Sequence, residues 1–172
     1  MSTETLNVAA ELHAFGQAYD YDVSYLIDLL EASPPTFEAF EPARGLSAYR
    51  WALPLDAHFV ARVATMMGED CGPCTQLNLA MAVEAGVDRE LLRCVLERPD
   101  GLAPHLQDVR EHALATARGE ASCPDRVERL RARFGAEAFA ELALAIVGSR
   151  LFPTLKRALG RDGVCQTPTV DF

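Results

Sequence analysis

The chain has 172 residues, 49% hydrophobic and 24% charged, the balance of an ordinary globular protein long enough to bury a proper core. Its 25 acidic residues against 16 basic ones give a formal net charge of -9, which repels phosphate backbones and sets nucleic acid aside as a partner. Residues 1–10 hold no basic or long apolar segment of secretory type, and the longest apolar run, Leu142 to Gly148, is too short to span a bilayer, so the expected location is cytoplasmic with no membrane partner.

In chain order the pattern is helical nearly throughout. Glu4 to Phe15 reads as a short amphipathic helix. Asp22 to Glu31 follows, with Val23, Leu26, Ile27 and Leu30 at helical spacing. Ser33-Pro34-Pro35 stops it, because proline cannot continue a helix. Thr36 to Phe40 reads as a single turn and Pro42 to Gly45 as a loop. Asp56 to Met67 is a helix with Phe59, Val63 and Met66 on its apolar side. The next helix spans Cys71 to Ala85 with Gly86 at its C-terminal end. Asp88 caps a helix through Glu97, and Pro99-Asp100-Gly101 is a turn. Pro104 to Arg118 is helical. Pro124 opens another helix that ends near Phe134-Gly135, and the last runs from Ala136 to about Leu159 with a bend expected at Pro153. Arg161 to Phe172 lacks periodicity and reads as a tail. Runs of alternating β-branched residues are missing, which argues against a sheet. The expected architecture is therefore one all-α domain over 1–172: an N-terminal helical layer (1–50), a core bundle (51–160) and the tail (161–172).

The most chemically specific stretch is Gly68-Glu69-Asp70-Cys71-Gly72-Pro73-Cys74-Thr75-Gln76-Leu77-Asn78. Cys71 and Cys74 form a Cys-x-x-Cys pair at a helix start, a spacing that can close a disulfide. Unpaired N–H groups of a first helical turn stabilise a thiolate, so the pair suits thiol chemistry. By helix position Cys71 is the exposed attacker and Cys74 the resolving thiol. The plain alternative is two small buried residues. Zinc needs two further ligands, and neither Cys94 nor the four histidines supply a second pair at metal-site spacing. The remaining cysteines, Cys94, Cys123 and Cys165, read as a core residue, a helix-start residue and an incidental tail residue. His13, His105 and His112 read as surface residues. Cys-Gly-Pro-Cys is also found in thioredoxins, but there it follows a strand, and here a helix precedes it.

The stretch from Val63 through Cys71-Gly72-Pro73-Cys74 to Ala85-Gly86-Val87 resembles the alkylhydroperoxidase D-like / carboxymuconolactone decarboxylase family, over roughly Leu55 to Glu97. The resemblance implies an all-helical bundle that assembles as a homo-oligomer, a trimer or hexamer. For the redox branch it implies disulfide exchange or peroxide reduction, with a dithiol protein or small thiol as the reducing partner and no cofactor or metal. In that branch the second cysteine meets the peroxide and the first resolves it, the reverse of the roles read from helix position.

Two positions depart from the redox branch. Its histidine four residues after the second cysteine is Asn78 here, and its glutamate twelve residues before the first is Phe59. Neither can take a proton from a thiol. The substitutes by position are His58, Glu69 and Asp70. His58, Arg62, Thr65 and Glu69 form one helical stripe. His58 can act as a base near neutral pH, while Arg62 and Thr65 read as a solvated face. Glu69 and Asp70 adjoin Cys71: as carboxylates they raise a neighbouring thiol pKa, as bases they can accept its proton, and Asp70 is a good N-cap by type. Asn78 can hydrogen-bond a thiolate or sit satisfied at a subunit contact. The candidate catalytic set is Cys71, Cys74, Glu69, His58 and Asn78. The expected activity is thiol–disulfide oxidoreduction coupled to hydroperoxide reduction. A decarboxylase of the broader family and a non-catalytic oligomeric binding protein are the alternatives.

Overall fold

The computed structural model describes residues 3–161 and 167–170, and Cys165 lies outside them. All regular structure among the described residues is helical: α1 (Thr3–Tyr19), α2 (Ser24–Ala32), α3 (Pro34–Arg44), α4 (Leu55–Gly68), α5 (Gly72–Glu84), α6 (Arg89–Glu97), a 3-10 turn at Pro99–Gly101, α7 (Pro104–Ala117) and α8 (Pro124–Ala158). The protein is all-α.

Two local rules account for most element ends. Asp88 caps α6 by accepting from the Glu90 and Leu91 N–H groups. Gly135, at φ 83°, interrupts α8 where the sequence pattern ended one helix and began another. Gly135 is the one non-helical residue inside α8, which continues through Pro153 to Ala158. The pattern failed at α3, expected as a single turn. Pro34 and Pro35 occupy its first positions, where a proline lacks nothing the helix needs, and Ser33 accepts from Thr36 N–H. The prolines that end α2 also begin α3.

α4 is the central helix. It packs against α5, α6, α7 and α8. Val60, Val63, Leu79, Val95 and Leu142 are fully buried in the main core around it; burying each such side chain contributes about 1.5–3 kcal/mol. By length and composition α8 could cross a membrane, but its Leu142, Ala145 and Ile146 are buried inside the protein. A second cluster joins α1–α3 to the site: Leu12, Tyr25, Leu26, Leu30 and Phe37 pack with Met66 of α4 and Cys74 of α5. Part of the expected tail returns to the body of the protein. Val170 is buried in the main core, and Thr169 N–H donates to Gln76 Oε1 at 2.9 Å.

One buried carboxylate sets the start of α4. Glu141 of α8 accepts from three successive backbone N–H groups, Trp51, Ala52 and Leu53, each at 2.9 Å. Burial works against its charge, but those three N–H groups hold its carboxyl below the usual range.

Candidate functional site

The cysteine pair is set by the end of α4. Asp70 N–H donates to Met67 O (3.2 Å) and Cys71 N–H to Met66 O (3.1 Å). This is the Schellman pattern, with Asp70 at φ 53° in the left-handed position that glycine usually fills. Asp70 therefore ends α4 and does not cap α5. The N-cap of α5 is Cys71, with no side-chain cap bond, and Pro73 sits in the first turn. Cys71 and Cys74 have their Cα atoms 5.2 Å apart and their sulfurs at disulfide distance. Cys71 is half-buried, whereas Cys74 is 2% exposed.

Cys74 lines a cavity of about 170 Å³ between α1–α3 and the α4–α5 pair. Tyr21 Oη lies 3.6 Å from Cys74 Sγ and 3.5 Å from Tyr25 Oη. With the sulfur in a disulfide, the tyrosine is the donor. The Lys156 ammonium, itself buried, sits 4.3 Å from the Tyr21 ring centroid and 4.8 Å from that of Tyr25, a cation–π arrangement in a desolvated setting. Burial pushes the Tyr25 hydroxyl pKa far up, reinforced by Tyr21. Gly148 shapes the opposite wall: a Cβ there would collide with the Ser47 backbone, so α8 lies against the 46–47 turn, and Ser47 and Ser149 both line the cavity.

Phe59 and Asn78 are joined by a third residue. Arg62, expected on a solvated face, is 6% exposed. Its Nε–H donates to Asn78 Oδ1 at 2.9 Å, its Nη2 approaches Met81 Sδ at 3.5 Å, and its guanidinium lies 5.1 Å from the Phe59 ring centroid. Asn78 in turn donates from Nδ2 to the Cys74 carbonyl at 2.8 Å. Asn78 thus spends its amide on Arg62 and the backbone of Cys74. Thr65 is also fully buried and donates to Ala61 O. The stripe looked solvated because helical spacing shows which residues share a face but not what covers that face.

Glu69 lies at the C-terminal end of α4 with its side chain buried. Arg150 Nε donates to its Oε1 at 2.5 Å, and Arg157 donates to its Oε2 and to its backbone carbonyl. Both carboxylate oxygens therefore face guanidinium groups. The residue fastens α8 to the junction that carries the cysteines.

His58 is 3% exposed, lies edge-on to Phe59, and has no partner for Nδ1 among the described residues. Burial, reinforced by the charges of Arg62 and Arg50, pushes its pKa down to about 4, so it is neutral at physiological pH and not the near-neutral base expected from its type. The sign follows from linkage. Between pH 6.5 and 4 the unfolded chain binds a proton at His58 that the folded chain refuses, so stability falls as pH falls. The expected loss across that window is about 3 kcal/mol. Urea unfolding at pH 7, 5.5 and 4.5 checks it: His58→Leu should flatten the slope, and an unchanged slope would reject the assignment.

His105 and His112 are half-buried, with their rings against Phe134 and Phe139. Cys94 is buried and free, beside Gly101; Cys123 is free at the N-cap of α8. No group of three or more His, Cys, Asp or Glu side chains among the described residues is arranged to hold a metal ion. Comparisons with family models, with curated proteins and with solved structures found no match to this chain. The residues that the sequence pattern missed are Tyr21, Arg62, Ser149 and Lys156. Arg62 was singled out only as part of a helical stripe, and that stripe was read as solvated.

Proposed function

We propose that this chain is a thiol–disulfide oxidoreductase of the alkylhydroperoxidase D-like type, a cytoplasmic homo-oligomer that reduces hydroperoxides through Cys71 and Cys74. The observation that carries the reading is the unequal placement of the two sulfurs. Cys74 is buried against a cavity, while Cys71, at disulfide distance, is half-exposed.

In the reduced enzyme the Cys74 thiolate attacks the distal peroxide oxygen. The O–O bond breaks, Cys74 becomes a sulfenic acid, and the alkoxide takes a proton to leave as an alcohol. The Cys71 thiolate then attacks the Cys74 sulfur, forming the disulfide and releasing hydroxide that protonates to water. An external dithiol resets the pair: its thiolate attacks the accessible Cys71 sulfur, Cys74 leaves as a thiolate, and the second external thiol closes the partner's own disulfide. Tyr21 O–H, 3.6 Å from Cys74 Sγ, supplies a hydrogen bond to that leaving thiolate. The first turn of α5 adds its partial positive charge. Glu69 acts as a positioning residue through Arg150 and Arg157.

The test is a titration of the reduced chain. One thiol should have a pKa below the free-cysteine value of about 8.5, and each Cys71/Cys74 pair should consume one equivalent of peroxide. Two inert thiols with ordinary pKa values would sink the reading. The rival, a binding protein that kept the fold, draws on one observation: Asn78 is locked to Arg62 and the Cys74 carbonyl, with no acid–base pair in its place.

A further inference from the structure

The cavity beside Cys74 has a charge character that redox chemistry alone does not require. In a chain of net charge -9, it is lined by two arginines, Arg62 and Arg44, and by no aspartate or glutamate. Arg44 has a carboxylate partner one helical turn away, Glu41, at 3.6 Å. Arg62 has none: it is 94% buried by its 6% exposure, its contacts are an amide oxygen, a thioether and a ring face, and no carboxylate among the described residues lies within ion-pairing distance. A buried cation is costly unless an anion meets it, and desolvation brings the Arg62 pKa down to about 10. A second observation points to the same space. Ser149 Oγ, 3% exposed and on the cavity wall, has no hydrogen-bond partner among the described residues. Most of the remaining lining is apolar, including Leu12, Phe15, Leu26, Leu77 and Phe152.

We infer that this cavity binds a small apolar molecule carrying one carboxylate, with the carboxylate on Arg62 and Ser149 and the apolar body among the leucine and phenylalanine side chains. Arginine suits this role because its planar N–H groups match the two oxygens of a carboxylate. The size is set by the volume: about 170 Å³ here, against about 150 Å³ for a cavity known to admit benzene. Asn78 Oδ1 and the Phe59 ring face hold the Arg62 guanidinium in place without neutralising it. On the redox reading above, on which this extension rests, the substrate is an organic hydroperoxide that bears a carboxylate.

The experiment is calorimetric titration of the full chain, in its disulfide form, with benzoate and with benzamide as the neutral isostere. Benzoate should bind at least tenfold more tightly. Arg62→Met should abolish that preference and leave weak, equal binding of the two probes. Ser149→Ala should lower benzoate affinity several-fold, and it covers the case in which the arginine variant does not fold. Equal affinities for the two probes in the wild-type chain, or no benzoate binding, would overturn the site. The disulfide form cannot react with peroxide, so the two readings fail separately. Selective benzoate binding in a chain that consumes no peroxide leaves the anion site standing and removes the redox step. Peroxide consumption without benzoate selectivity does the reverse.

Discussion

Cys74→Ser should abolish peroxide consumption, by about 10³-fold or more, the scale on which losing a nucleophile acts. Cys71→Ser should behave differently. It keeps the buried sulfur beside the cavity and Tyr21, and loses only the thiol that closes the disulfide. That variant should consume one equivalent of peroxide in a single turnover and stop at the sulfenic acid, which a dimedone-type trap would capture. It should not turn over with an external dithiol, because the half-exposed Cys71 is the sulfur that the dithiol can reach. The helix-position argument alone gave the opposite roles, with Cys71 attacking because it comes first in the turn. In the proposed reading burial gives the reverse order: the half-exposed Cys71 sulfur is open to a bulky reductant, and Cys74 lies against the cavity, open to a small oxidant. Stopped-flow consumption with mass-spectrometric trapping separates the two cases. A sulfenic acid on Cys71 in the Cys74→Ser chain would overturn the assignment.

Glu141→Gln should cost about 3 kcal/mol, because buried N–H groups left without an acceptor cost about 1–3 kcal/mol each. The glutamine carbonyl can serve at most two of the three donors, and its NH₂ group faces a donor. Leu53 is fully buried, so its N–H cannot turn to water, whereas Trp51 is 81% exposed and that segment can be rehydrated. For a chain of this length the melting temperature should fall by about 6–12 °C. The Glu141 charge also acts on His58, raising its pKa against the larger effects of burial and the arginines, so the two acid sensitivities are linked. The Glu141 carboxyl is held below its ordinary 4.5, so its contribution is fully present above that value and is lost as pH falls through the lower folded value. His58 acts earlier, from pH 6.5 down to about 4. Removing Glu141 should flatten the lower limb of the pH–stability curve and deepen the upper one, because the His58 pKa falls further without that charge; a variant as stable as the parent would show that the three hydrogen bonds carry little.

The helical character, most helix positions and the cysteine pair could be read along the chain because each depends on neighbours within a turn or two. Periodicity, Asp88 as a cap and Gly135 as a break are of that kind. Pro34-Pro35 misled because proline has two opposite meanings, stop and start, and only the Ser33 cap decides between them. The site itself is mostly non-local. Tyr21 reaches Cys74 across 53 residues, and Lys156 comes from the far end of α8. Arg62 was visible as a residue on a helical stripe, but its burial depends on α5 closing over it and on an asparagine standing where a histidine was expected. Glu69 was singled out for its nearness to Cys71, yet its partners are arginines more than 80 residues away in sequence.

The Schellman end of α4 has a mechanical consequence. The Cys71 N–H is tied to Met66, and the Cys74 carbonyl is tied through Asn78 to Arg62, so both cysteine backbones are anchored to α4 without help from the sulfur–sulfur bond. Opening that bond leaves the two Cα atoms, 5.2 Å apart, on the same scaffold. Oxidised and reduced chains are therefore expected to share one main-chain path, differing only by rotations of two short side chains. On the redox reading proposed above, such a pair stores no large conformational signal and returns to its starting shape after every cycle.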